Sequence, residues 1–167
     1  PLRDVYKRQT QMIAAATTPD EPVMIATDND RAGRAAAASD LETLASYGIE
    51  ARRMVLIGEG IKDPADSLKT DGGQAIRTAT DAIAIAPAVA GEVIADQIRQ
   101  VPADRLDHAG ARIALSRACA RTIALTAPDQ WNDLVAQAAT HIASRSGADA
   151  DDLHLSLIHI SDGAREA

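Results

Sequence analysis

Pro22-Val23-Met24-Ile25-Ala26-Thr27-Asp28-Asn29-Asp30-Arg31-Ala32-Gly33 decides how this chain reads. An apolar run bounded by a proline enters a pair of carboxylates and then an alanine-rich stretch. Val23 to Thr27 has the length and composition of a buried parallel strand. In Ala32 to Tyr47, Ala36, Leu41, Leu44 and Ala45 supply a helical apolar face, with Asp30 placed to cap it and Gly48 to end it. Arg53 to Ile57 predicts a second strand. Strand, helix and strand with short connections predict a right-handed βαβ unit, in which functional groups gather at the carboxyl ends of the strands. Asp28 and Asp30 end the first strand, and Lys62-Asp63-Pro64-Ala65-Asp66 lies just past the second. Both acidic clusters are therefore expected on one edge of the sheet. Carboxylates this close repel unless a cation offsets them, which points to a hard divalent metal and phosphate chemistry around it.

Working outward, Asp71-Gly72-Gly73 predicts a turn, after which the pattern is helix upon helix. Gln74 to Ile85, Ala88 to Gln100, Ala109 to Thr126 and Pro128 to Ser146 are the expected helices, broken near Pro87, Pro102 and Gly147. Pro128 suits the first turn of the last one, and Trp131 is expected to anchor that helix rather than to stack on a base. The expected fold class is α/β, a βαβ fragment of a Rossmann-like parallel sheet followed by a helical bundle. Its metal-site domain spans 10–72 and its helical subdomain 73–154, with a boundary between 72 and 90.

The two ends read differently from the rest. Asp4-Val5-Tyr6-Lys7-Arg8-Gln9 is a direct translation of GATGTGTATAAGAGACAG. Leu155-Ser156-Leu157-Ile158-His159-Ile160-Ser161 translates CTGTCTCTTATACACATCT and its continuation, which contains the reverse complement of the same oligonucleotide. That oligonucleotide resembles the transposase mosaic end of tagmented sequencing libraries. Residues 1–9 and 155–167 are accordingly expected to be adapter-derived scars, set aside in reasoning about the fold, and the gene is expected to continue in both directions.

Composition narrows the classes. The chain carries a formal charge of -7, which argues against strong duplex binding through its own Lys and Arg. Any basic groove for nucleic acid is expected elsewhere in the parent protein. Alanine supplies much of the apolar fraction and Phe is absent, favouring helices that approach on small residues. The single cysteine, Cys119, excludes a disulfide within the chain and a cysteine-based zinc cluster, and its helical setting predicts a core position. His108 and His141 share no metal-ligand spacing with it. No apolar run is long enough to span a bilayer, and cytoplasmic is the default expectation.

Asp28-Asn29-Asp30-Arg31-Ala32-Gly33-Arg34-Ala35-Ala36, a following strand, and Lys62-Asp63-Pro64-Ala65-Asp66 together resemble the Toprim domain. The similarity is to the variants found in bacterial DnaG-type primases and in primase-like proteins of phages, plasmids and conjugative elements. It covers Pro22 to Gly72 and continues more weakly through the helical region. The resemblance implies Mg2+ (or Mn2+) held by Asp28 and Asp30, with Asp63 as a third acidic contributor and Asp66 as a further one. Lys62, Arg31 and Arg34 are the implied contacts to phosphate or nucleic acid. The implied activity of the parent protein is magnesium-dependent nucleotidyl transfer, which joins ribonucleoside triphosphates into RNA primers on a single-stranded DNA template, with a replicative helicase as a partner. The chain departs from the family pattern in three ways: Asn29 stands where Gly is common, Ala65 separates Pro64 from Asp66, and the general-base glutamate of an earlier strand is missing. The fragment by itself is therefore expected not to make primers.

Other readings compete. Asp28-Asn29-Asp30 and Asp63-Pro64 each suffice as a turn and helix cap. A haloacid-dehalogenase-like phosphatase also places an aspartate pair after a strand, but Arg31-Ala32-Gly33 fits it poorly. A receiver domain would split its acids across strands. A type IA topoisomerase needs a nucleophilic tyrosine, and Tyr6 and Tyr47 do not serve. The alternative from another class is a non-catalytic Toprim module that binds nucleic acid or the replisome within a mobile-element relaxase or helicase fusion.

Overall fold

The computed structural model describes residues 8–9, 11–13, 15–18, 21–28, 30–83 and 86–165, the side chains of 161, 162, 164 and 165 apart. Much of the expected N-terminal scar, the loop residue Asn29 and the expected helix end at Ile85 lie outside the described residues. The chain is mostly helical with a small parallel sheet, and it divides into two compact units, Pro1–Val89 and Ala90–Ala167. Among the described residues no helix is long and apolar enough to cross a membrane.

In the first unit, β1 (Val23–Ile25) and β2 (Ala51–Arg53) pair in parallel, with Val23 opposite Ala51 and Ile25 opposite Arg53. The ladder extends one bond further at each end, Val23 N–H to Glu50 O at 2.8 Å and Met54 N–H to Ile25 O at 2.9 Å. Between the strands runs α1 (Arg31–Ala45), which buries Ala37, Leu41 and Leu44 at helical spacing. It stops at Gly48, whose φ of 71° is a left-handed turn that favours glycine. On its other side β2 meets the returning chain: Arg52 bridges to Ala88, and Arg53 N–H donates to Pro87 O at 2.7 Å.

Both strands differ from expectation. β1 ends at Ile25 rather than Thr27, and β2 occupies Ala51–Arg53 rather than Arg53 to Ile57. Pairing, not apolar composition, sets a strand's extent. β1 leaves the ladder after Ile25, so the apolar residues that follow β2 have no parallel partner, and Val55 and Ile57 are 48% and 82% exposed.

The rest of this unit is a short helix pair, α2 (Pro64–Thr70) and α3 (Gln74–Asp81), the latter shorter than the sequence suggests. Asp71 welds the pair. Its carboxylate accepts from the Ser67 hydroxyl at 2.8 Å and from the N–H groups of Gly73, Gln74 and Ala75 at 2.9–3.0 Å. One side chain thus closes the end of α2 and satisfies the open donors of α3. The Ser67 hydrogen bond, followed by the backbone ones, holds the Asp71 carboxyl below its ordinary 3.8 against the opposing effect of desolvation.

The second unit contains α4 (Val89–Gln100, beginning at the last residue of the first unit), α5 (Ala103–Leu106), α6 (Ala109–Ile123), α7 (Trp131–Ser146) and α8 (Ala150–Arg165). A 3-10 turn over Pro128–Gln130 precedes α7, so Pro128 starts a turn just ahead of the helix. The three long helices α6, α7 and α8 pack on one another. Ala120, Ala138 and Ala139 are buried in this unit, as are Leu115, Ile123, Val135 and Ile142. Cys119 is buried here, and burial pushes its thiol up to about 12. Two arginines close α4 and α5. Arg145 donates to Ile98 O and to Val101 O, the latter at 2.9 Å, and Arg112 to Leu106 O and Asp107 O at 2.8 and 3.0 Å. Carbonyls at helix ends that lack intrahelical partners thereby gain charged donors. The Trp131 indole N–H reaches Thr126 O at 3.2 Å, pinning the start of α7.

α5 and α8 were not expected. The sequence shows α5 only as the stretch after Pro102, and α8 carries the segment set aside as an adapter translation. Its helical spacing nevertheless places Leu153 and Leu157 on one face, and both are buried, Leu157 fully. Asp149 caps it, accepting from the N–H groups of Asp151 and Asp152.

Leu157→Ala should lower the unfolding free energy by about 2–5 kcal/mol in urea titration; an unchanged midpoint would remove α8 from the core. Asp71→Ala should lower the melting temperature at neutral pH. Because the folded pKa of Asp71 is depressed, its contribution is present above pH 3.8 and fades as pH falls through the folded value. Melting curves across that range should therefore show the gap between wild type and variant narrowing in acid.

Candidate functional site

The acidic loop between β1 and α1 is built from its backbone. Asp30 is the N-cap of α1, extended at φ -112°, and its Oδ1 accepts the Gly33 N–H at 2.7 Å. The sequence places Asp30 in this role, and the structure agrees. The first turn of α1 then lies directly on the preceding strand exit. A Cβ on Gly33 would fall 2.0 Å from the Asp28 carbonyl oxygen and 2.8 Å from its carbon. Only glycine permits that approach.

From below, the loop is held by a residue that sequence reasoning passed over. Arg53, the last residue of β2, is 5% exposed. Its Nη1 donates to Thr27 Oγ1 at 2.6 Å and its Nη2 to Thr27 O at 2.8 Å. A buried guanidinium is costly unless hydrogen-bonded, and this fork grips both the side chain and the main chain of the residue before Asp28. A charged residue at the head of the expected apolar strand was the available signal.

The second acidic cluster is a helix start. Asp63 is the N-cap of α2, its Oδ1 accepting the Asp66 N–H at 2.7 Å, while Asp66 Oδ2 accepts the Lys62 N–H at 3.2 Å. Pro64 occupies the first turn, where its missing N–H is no loss. Asp63 and Asp66 are half-buried, and Lys62 is exposed. Of the two basic residues on α1, Arg31 is exposed, and Arg34 is half-buried with partners in the protein. His108 and His141 are both exposed.

Among the described residues no group of three or more His, Cys, Asp or Glu side chains is placed to hold a metal ion. The four carboxylates singled out in the sequence are thus not gathered into one cage. Asp28 and Asp30 are exposed at a strand exit, and two oxygen donors of this kind fit an ion that takes one or two carboxylates and fills its remaining positions with water and phosphate. Asp30 spends one oxygen on the cap of α1, and Asp63 and Asp66 spend one each on α2. The same unit also has an open groove of about 530 Å3, lined by Val55, Ile57, Ala75 and Ala79 with Asp71 and Thr78 at its polar side; neither Asp28 nor Asp30 lines it.

Comparison with protein-family models yields no match, and comparison with curated proteins yields no significant similarity.

Gly33→Ala should force the first turn of α1 off the loop. About 1–3 kcal/mol of destabilisation, the usual cost of overpacking, is expected in urea unfolding. A variant as stable as wild type would show that the helix does not rest on Asp28.

Proposed function

We propose that this chain is the metal-site portion of a Toprim-containing, DnaG-like primase, a cytoplasmic protein of a bacterium or its mobile elements. The observation that carries the reading is the Asp28–Asp30 loop. It sits at the carboxyl end of a parallel strand and is pressed against a glycine that opens the next helix. Strand exits of this kind are where open α/β units gather functional groups. Asp28 and Asp30 are the residues that would hold Mg2+ (or Mn2+). Such an ion, when bound, supplies charge stabilisation to transferring phosphoryl groups. Arg31 and the exposed Lys62 are the cations available to a nucleotide or template phosphate. In the parent protein this site would serve RNA primer synthesis from ribonucleoside triphosphates on single-stranded DNA, alongside a replicative helicase.

A second reading is favoured by a specific observation. Among the described residues no third acid joins Asp28 and Asp30 in a group that could hold a metal, and Asp63 and Asp66 have oxygens committed to the start of α2. That suits a non-catalytic module for nucleic acid or the replisome in a relaxase or helicase fusion. Metal binding without nucleotidyl transfer by the parent protein would select it.

The metal assignment is tested by Mn2+ titration of the full chain, read by electron paramagnetic resonance. Asp28→Asn and Asp30→Asn should each weaken binding about tenfold or more, as loss of even an outer-shell partner does. Asp149→Asn, which keeps a good cap on α8, should bind as wild type. Equal affinity in all three variants removes the assignment.

A further inference from the structure

We propose that Arg53 is a positioning residue for the acidic loop, setting the direction in which Asp28 leaves β1 by clamping Thr27. The proposal rests on the metal reading of Asp28 and Asp30 and extends it to a residue pair that is neither acidic nor exposed.

Three observations support it. First, Arg53 ends β2 directly opposite Ile25, the last residue of β1, so it reaches the point where the neighbouring strand leaves the ladder. Second, the guanidinium is almost fully buried, and its fork holds Thr27 at two atoms, Oγ1 and the carbonyl oxygen. A planar fork fixes orientation as well as distance, which a flexible ammonium does not. Third, the other side of the loop is fixed independently, with Gly33 against the Asp28 carbonyl and Asp30 tied to the Gly33 N–H. Thr27 and Gly33 thus bracket Asp28 and Asp30 on both sides. A surface turn that only capped α1 would need the second bracket and not the first. Carboxylates that must meet a small ion at a set separation gain from both, because outer partners orient the ligands that touch the metal.

The cleanest variant is Thr27→Val, which removes the hydroxyl, keeps the shape and leaves the Arg53 bond to the Thr27 carbonyl possible. Arg53→Met removes the fork altogether, and Thr27→Ser restores the hydroxyl. Mn2+ affinity and the electron paramagnetic resonance spectrum of bound Mn2+ are measured on the full chain, with circular dichroism melts to verify folding. The expected result is weaker Mn2+ binding in Thr27→Val and Arg53→Met, about tenfold by the usual effect of outer-shell partners. An altered bound-ion spectrum should accompany it, and Thr27→Ser should bind as wild type. Should Arg53→Met fail to fold, the Thr27 pair still decides. Wild-type affinity and spectrum in a folded Thr27→Val overturn the positioning role while leaving the metal reading in place. Absence of Mn2+ binding by the wild-type chain overturns the metal reading, and this inference with it.

Discussion

The contact on which the first unit depends is the approach of α1 to the backbone of Asp28. A helix that follows the end of a strand after five residues must either stand away from the strand's exit or lie on it. Gly33 lets it lie on it, with no side chain between the turn and the Asp28 carbonyl. Asp30 then completes the first turn by accepting the Gly33 N–H, and Ala37, Leu41 and Leu44 carry the same face of the helix into the core. The position of the acidic loop is thus a by-product of how the crossover packs. Its carboxylates, Asp28 and Asp30, are exposed.

Elsewhere the same economy recurs, with single side chains closing the ends of helices. Asp71 joins α2 to α3, Arg145 closes α4, Arg112 closes α5, and Asp149 opens α8. Every helix leaves backbone groups at its ends without intrahelical partners, and these residues supply the missing partners. Charged donors and acceptors are the effective choice, since their hydrogen bonds are stronger than neutral ones. This gives many of the chain's ionisable residues a structural use, and it separates Asp30, Asp63 and Asp66, which are spent in this way, from Asp28, which caps no helix among the described residues.

Much of this was readable in advance. Helix starts and stops follow local chemistry: the Asp30 cap, Pro64 after Asp63, the Gly48 and Gly147 terminators and the Asp71-Gly72-Gly73 turn all stand where the residue types put them. The burial of Cys119 and the anchoring of Trp131 follow equally from apolar helical surroundings. The strands were less legible. Val55 and Ile57 look like strand interior, yet they lie beyond the reach of β1 and are exposed. A strand is defined by its neighbour, and nothing local says where the neighbour departs. α8 escaped for another reason. Its coding history says nothing of whether Leu153 and Leu157 fall on one helical face, and they do.

The sequence by itself determined the parallel crossover, the acidic strand exit and most of the helix starts and stops, because each depends on residues close to one another along the chain. Only the tertiary structure decided which carboxylates stand together, how far each strand runs, and that Arg53 grips Thr27 across 26 residues of chain. Those outcomes depend on pairings between distant segments, and a periodic pattern along one segment carries no record of its partner.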